Sequence, residues 1–302
     1  MSPRFRSGPV HVRVPATSAN LGPGFDSLGL ALSLRDDVVA RVAGTGLRVD
    51  VEGEGADRLP RTERHLVVRA ARAAFDLLGG QPAGLELSCV NRVPHDRGLG
   101  SSAAAIVAGM VAARALVADG DRALEDAALL AHAAELEGHP DNVAACLLGG
   151  LTIAWQEPGG ARAVTMRPAG TLRPIGFVPP TRSSTIAARG ALPVTVSHAD
   201  AAWNAGRAAL LVHALTREPG LLLSATEDRL HQTYRAAGMP ESARLVDRLR
   251  SAGIPAVMSG AGPTVLAFAD SDADLSRYAT TGWNVLQLAV DNTGAELRAA
   301  TG

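Results

Sequence analysis

Residues 94–104 read Pro-His-Asp-Arg-Gly-Leu-Gly-Ser-Ser-Ala-Ala and run into an apolar stretch with Ile106, Val107, Met110 and Val111. A helix opening at these serines would aim unpaired first-turn N–H groups at Gly98 and Gly100. Its dipole would add about half a positive charge. Such a start is an anion site, and glycine lets a phosphate come close to the backbone. Ser101 and Ser102 can cap the helix, bind a phosphate oxygen or ligate Mg²⁺. A turn with an ordinary N-cap is the blander reading, but the length of the apolar run and the doubled hydroxyl favour phosphate. The spacing is not Gly-x-x-x-x-Gly-Lys-Ser/Thr, and the chain contains no lysine, so this is not a P-loop.

Three further groups could join it. Residues 15–26 crowd Thr17, Ser18, Asn20 and Asp26 around Gly22-Pro23-Gly24, which predicts a tight, exposed turn held against a core by flanking leucines. Residues 135–142, Glu-Leu-Glu-Gly-His-Pro-Asp-Asn, end a helix and leave His139, Asp141 and Asn142 on a constrained loop. Glu135 and Glu137 point to different sides of that helix. Residues 259–264, Ser-Gly-Ala-Gly-Pro-Thr, lie between two short apolar runs; Gly260 and Gly262 suit a hairpin or close backbone contact with the first glycine loop.

The elements that must carry these groups follow from periodicity. Val10, Val12 and Val14 alternate with polar residues and predict a strand ending at Pro15. Strands are also expected at 38–42, 47–51, 85–89, 151–155, 175–178, 256–258, 265–269 and 283–290. Helices are expected at 63–78, closed by Gly79-Gly80, and at 121–137. A third is opened by a capping box at Ser197 to Asp200 and runs to Leu215, and a fourth runs from Pro240 to Gly253. This mixture, without steady βα alternation, predicts an α+β fold. Pro158-Gly159-Gly160 reads as a linker, giving an N-terminal domain over 1–160 and a C-terminal domain over 161–302.

Composition narrows the class. The chain has 302 residues, 47% hydrophobic and 20% charged, with a net charge of -1, as in ordinary globular proteins. It has no basic excess to suggest nucleic acid, and no run long enough to suggest a membrane span or secretory leader. Cys89 and Cys146 lack metal spacing and read as buried free thiols in a cytoplasmic protein. With every cation an arginine, a phosphate clamp must use arginine, backbone N–H or metal.

The three glycine loops, in this order, resemble the superfamily of galactokinase, homoserine kinase, mevalonate kinase and phosphomevalonate kinase (the GHMP kinases). The first loop, Ala-Thr-Ser-Ala-Asn-Leu-Gly-Pro-Gly-Phe-Asp, and the run His139-Pro-Asp-Asn142 are similar to its homoserine kinase branch. The resemblance implies an N-terminal domain like domain 2 of ribosomal protein S5, a ferredoxin-like C-terminal domain, and ATP between them. It implies transfer of the γ-phosphoryl of ATP, with Mg²⁺, to the hydroxyl of L-homoserine, a step toward threonine. By the same resemblance, Pro94, His95, Asp96, Arg97, Gly98, Leu99, Gly100, Ser101, Ser102, Ala103 and Ala104, with Gly260 and Gly262, would surround the nucleotide. Asn204 would lie on the nucleotide side.

The resemblance also assigns Arg189 and Arg235 to the substrate carboxylate, which suits a guanidinium chemically. It puts Asp26 and Asp141 at the ammonium, with Asn20 and His139 beside them. Asn142 would lie near the accepting hydroxyl, Thr185 near the γ-phosphate, and Glu135 with Ser101 or Ser102 on Mg²⁺. Glu137 is the rival for that last role. A related kinase for another small alcohol, or a non-catalytic nucleotide binder, is the alternative. The sequence leaves the oligomeric state, including a homodimer, open.

Overall fold

The computed structural model describes residues 3–269 and 274–298. The valine alternation does start a strand, but β1 (Val10–Asn20) continues through Pro15. A register shift between Pro15 and Ala16 accommodates the missing N–H. β2 (Gly24–Ala43) returns antiparallel to it, so residues 15–26 are not an exposed turn. They form a hairpin end with Thr17, Ser18 and Asn20 buried, because Leu21, Leu28, Leu30 and Leu32 pull both strands into a core.

β3 (Gly46–Gly53), α1 (Leu66–Leu77) and β4 (Gly84–Asn91) form a βαβ unit whose strands pair in parallel. α2 (Ser101–Leu116) follows, then the short α3 (Gly120–Ala123), α4 (Asp126–Glu137) and α5 (Asp141–Leu148). The helix expected over 121–137 is thus broken at Leu124 and Glu125. The apolar sides of α1 and α2 share one core with Val12, Val14, Val38, Leu85 and Leu87 of the sheet. α2 is buried on nearly every side, which explains its unbroken apolar run.

β5 (Leu151–Glu157) and β6 (Gly160–Met166) form a hairpin joined to β2. The stretch read as a linker is therefore the turn of this hairpin, and the first sheet crosses the expected 160/161 boundary. Beyond it lie β7 (Arg173–Val178), α6 (Thr185–Gly190), α7 (His198–Thr216), α8 (Leu222–Ala225), α9 (Gln232–Arg235) and α10 (Pro240–Ser251). β8 (Ala256–Met258), β9 (Val265–Ala269), β10 (Asn284–Gln287) and β11 (Glu296–Arg298) complete the described chain. Ser197 caps α7 as its sequence suggests, accepting the Asp200 N–H at 3.0 Å.

The second sheet has the order β10-β7-β9-β8 with every neighbouring pair antiparallel, the ferredoxin-like arrangement, and α10 packs its Leu245 and Leu249 against it. β11 leaves this half and pairs with β1, giving the first sheet the order β11-β1-β2-β4-β3. Leu21, Leu30, Leu99 and Leu151 from the first half meet Leu211, Leu215, Val257 and Leu266 from the second in one buried cluster. At about 2 kcal/mol for each buried leucine, this seam fixes how the glycine segments face one another. No helix among the described residues is long and apolar enough to cross a membrane.

Cys89 and Cys146 are both fully buried free thiols. Burial pushes Cys89 up to about 12 and Cys146 upward as well. Neither should react with a thiol reagent in the native protein at neutral pH, and both should react in denaturant; mass spectrometry of labelled protein checks this. Rapid native labelling of either would contradict the packing described.

Candidate active site

A cleft of about 570 Å³ opens along the seam. The β1–β2 hairpin brings Asn20 and Asp26 to it, and the start of α2 brings Gly98, Gly100, Ser101 and Ser102. Glu137, His139, Asp141 and Asn142 come from the α4–α5 junction. Arg182, Thr185 and Arg189 come from the segment around α6, Arg235 from α9, and Gly260 and Gly262 from the β8–β9 turn.

Hydrogen bonds to backbone groups lock these segments together. Ser259 Oγ donates to the Gly98 carbonyl at 2.6 Å, and the Gly260 N–H donates to Ala19 O at 3.1 Å. Asn20 Nδ2 donates to Gly260 O at 2.9 Å. A Cβ on Gly98, at φ +75°, would lie 2.2 Å from Ser259 O. Gly100, at φ +70°, is the residue before α2, and a Cβ there would lie 1.9 Å from Thr17 Oγ1. Neither serine caps α2: no side chain does, and the cap position is the left-handed Gly100. The first-turn N–H groups are thus left to face the cleft, as an anion site requires.

Glu135 and Glu137 are separated cleanly. Glu135 is exposed and pairs with His132 at 3.2 Å, outside the cleft. Glu137 lines the cleft and accepts from Ser102 Oγ at 2.6 Å. The expectation that Glu135 would reach the cleft is corrected on geometry: α4 turns Glu137, not Glu135, toward α2. Burial pushes the Glu137 carboxyl upward, partly offset by the Ser102 hydroxyl.

Asn142 Oδ1 accepts from Thr17 Oγ1 at 2.7 Å, so its NH₂ is the group left for the cleft. His139 Nδ1 lies 2.7 Å from Asp141 Oδ1, which also accepts the Asn142 N–H at 2.8 Å. Burial alone would lower His139, but Asp141, Glu137 and Asp26 outweigh it and hold the imidazole above its ordinary value. Arg189 grips Asp26 in a fork, at 2.8 and 2.9 Å. Arg235 is buried and bonds Ala188 O at 3.1 Å; among the described residues no carboxylate pairs with it.

Beside the cleft lies a second cavity of about 290 Å³ that shares Asp96, Ser101 and Ser102 with it. Val14, Val38, Leu59, Leu66 and Val67 give it apolar walls, and His65, His95, Asn91 and Ala104 also line it. Both ring nitrogens of His65 are buried without a hydrogen-bond partner among the described residues. Burial, then neighbouring His95, hold that imidazole below its ordinary value.

Other expected residues serve the loop rather than the cavities. Leu99 and Ala103 are core, Pro94 lines neither cavity, and Arg97 reaches Pro179 O and Pro180 O at 2.6 and 2.7 Å. Asn204 also lies off the cleft, bracing the hairpin tip through Pro23 O at 2.7 Å. Thr17 was named in the first glycine loop without a role, and Arg182 and His65 were not among the expected site residues. The absence of lysine is the signal that could have singled out Arg182.

This layout, a bare helix start between two domains facing an acid-and-arginine pocket, is that of a small-molecule kinase. Residues 65–150 match the family model for the GHMP kinases N terminal domain, and residues 209–279 match GHMP kinases C terminal. The chain is 64% identical over 297 residues to a homoserine kinase of Streptomyces avermitilis, covering 98% of this chain and 97% of that one. A homoserine kinase of Streptomyces coelicolor is also 64% identical, over 97% of this chain and 96% of its own. The crystal structure of homoserine kinase from Cytophaga hutchinsonii superposes with a TM-score of 0.82 at 25% identity, covering 98% and 99%. The chain belongs to the GHMP kinases. Within them it is a member of the homoserine kinase family.

Gly100→Ala should lower the melting temperature and weaken nucleotide binding, because left-handed backbone costs a residue with a Cβ about 1–2 kcal/mol before any clash. Adding Thr17→Ala should recover part of both losses by removing the hydroxyl at 1.9 Å. Thermal melts and ATP-analogue titrations of the single and double variants check this; normal binding by Gly100→Ala would contradict it.

Proposed function

We propose that this cleft carries out the homoserine kinase reaction with the assignment that follows. ATP gives its γ-phosphoryl to the side-chain hydroxyl of L-homoserine, and ADP and O-phospho-L-homoserine leave, the latter on the route to threonine. Arg235 carries this reading. A buried guanidinium without a carboxylate is costly, on the order of several kcal/mol, and a site retains one for an anionic ligand. Its planar fork suits the carboxylate of an amino acid. Arg189 and Asp26 lie beside it as a half-exposed pair, and a zwitterion offers both their counter-charges. Its ammonium would meet Asp26 and Asp141. Asn20 is already committed to Gly260 O and the Asp26 N–H, so it shapes the pocket.

The triphosphate would lie along the first-turn N–H groups of α2, with its base in the apolar side cavity against His65. The donor set fits Mg²⁺: Ser102 and Glu137 are adjacent hard oxygens, and Ser101 stands beside them. Mg²⁺ typically uses one or two carboxylates plus phosphate and water, so no larger cluster is needed. Those residues would hold it, and it would neutralise charge on the β- and γ-phosphates. Thr185 and Arg182 would supply a hydroxyl and a guanidinium from the opposite wall. Asn142 offers its NH₂ to the accepting hydroxyl and cannot usefully take a proton.

An ADP-release assay should show turnover with L-homoserine well above L-serine, L-threonine or mevalonate. Arg235→Ala should raise the homoserine KM about tenfold or more with the ATP KM little changed, since a charged hydrogen bond contributes about 1.5–3 kcal/mol. An unchanged homoserine KM would remove the carboxylate clamp from the scheme. Separately, Glu137→Ala should lower kcat by about a hundredfold and shift the Mg²⁺ dependence, while Glu135→Ala stays within about twofold. The reverse ranking would restore Glu135 to the metal.

A further inference from the structure

Because Arg235 is buried, whatever holds its guanidinium sets the geometry of the clamp. Its Nη1 lies 3.1 Å from Nδ1 of His231, which is itself fully buried. The other ring nitrogen, Nε2, lies 2.8 Å from Gly22 O. A carbonyl only accepts, so Nε2 carries the proton; a guanidinium only donates, so Nδ1 must be bare. Both contacts together require one tautomer of the neutral imidazole. The ring stacks on Phe25 at 5.2 Å and 27°, and the Arg235 guanidinium lies 5.2 Å from the same phenyl ring. His231 therefore ties α9 to the hairpin end that carries Asn20 and Asp26.

We propose that His231 is a positioning residue for the homoserine site: neutral, it holds Arg235 for the substrate carboxylate, and protonated, it releases the clamp. The inference rests on the reading of Arg235 given above. Burial is the strongest influence on the ring and holds it below the ordinary histidine value. Asp228, 3.7 Å from Nε2, and Asp26 on the hairpin favour the charged form, while Arg235 opposes it. The neutral ring is thus the working form at neutral pH, and the contact to Arg235 is lost as pH falls through its depressed value.

Steady-state kinetics from about pH 5 to about pH 8 test this, with both substrates varied. In the native enzyme the homoserine KM should rise toward acid while the ATP KM does not follow. His231→Phe keeps the stacking and loses both hydrogen bonds; its homoserine KM should be about tenfold higher at neutral pH and flat toward acid. His231→Asn places an amide oxygen near the Nδ1 position and should recover part of the loss, also without pH dependence, with kcat changed far less than KM. A flat native profile, a normal KM in His231→Phe, or an acid-side rise that persists in His231→Asn would overturn the proposal. If His231→Phe does not fold, the native and His231→Asn profiles decide it. Arg235→Ala separates the two readings. If it leaves the homoserine KM unchanged, the clamp itself is wrong; if it raises KM and the His231 variants do not, only the role of His231 falls.

Discussion

The close approach of the β8–β9 turn to the phosphate loop is the constraint on which the cleft depends. With Ser259 O and Gly262 O 2.2 and 2.8 Å from where a Gly98 side chain would begin, only a bare backbone fits there. Ser259 Oγ spans the contact, bonding Gly98 O at 2.6 Å and Ser18 Oγ at 2.8 Å. Three segments remote in the chain thereby become one wall. The start of α2 is held against the hairpin that carries Asn20 and Asp26, and against the turn beside Arg235. Phosphoryl transfer gains most from alignment of its partners, and a wall of close-packed backbone tied by the buried Ser259 and Asn20 side chains would supply it.

Charge in the cleft is arranged by burial. Arg189 and Asp26 form a well-shaped fork, but with side chains 42% and 34% exposed their pairing is worth only about 0–1 kcal/mol. A zwitterionic ligand can replace it at little cost. Arg235 differs: buried, and with no carboxylate paired to it among the described residues, it would gain far more from an anion. Under the proposed assignment, discrimination for an amino acid would reside mainly in Arg235, while the Arg189–Asp26 pair would adapt around the ligand. The absence of lysine gives this division a structural basis, because a guanidinium can be fixed by several directional bonds where an ammonium is a point charge.

Much of this was legible in sequence where the signal was local. The strand expected over 85–89, the apolar α2 and the capping box at Ser197 each became the expected element. The glycine segments likewise met at one cleft. What was illegible depended on distance or rotation. Pro158-Gly159-Gly160 has the composition of a linker and of a hairpin turn alike, and only its pairing with β5 shows which it is. β11 is too short to be read as a strand, yet it carries the chain back to the first sheet. Glu135 and Glu137 lie about 200° apart around their helix, so the rotation of α4 alone selects the one that meets Ser102. Thr17 and His231 act on partners 125 and 209 residues away, contacts that no local spacing encodes.

The Thr17–Asn142 bond bears on the fate of the hydroxyl proton. With its amide oxygen taken by Thr17, Asn142 presents a donor where a general base would have to present an acceptor. Asp141 is nearby, but its Oδ1 accepts from both His139 and the Asn142 N–H, which favours a fixed carboxylate over a proton shuttle. In a loose transition state the attacking oxygen acquires little positive charge until late, so early deprotonation brings small advantage. Charge building on the transferring group is the larger problem, and under the proposed assignment the bare amides of α2, with Thr185 and Arg182 across the cleft, would surround the place where it builds. Under that assignment the site would accelerate transfer by holding a neutral alcohol in line and would leave the proton to depart last, with the phosphoryl oxygens as one basic destination.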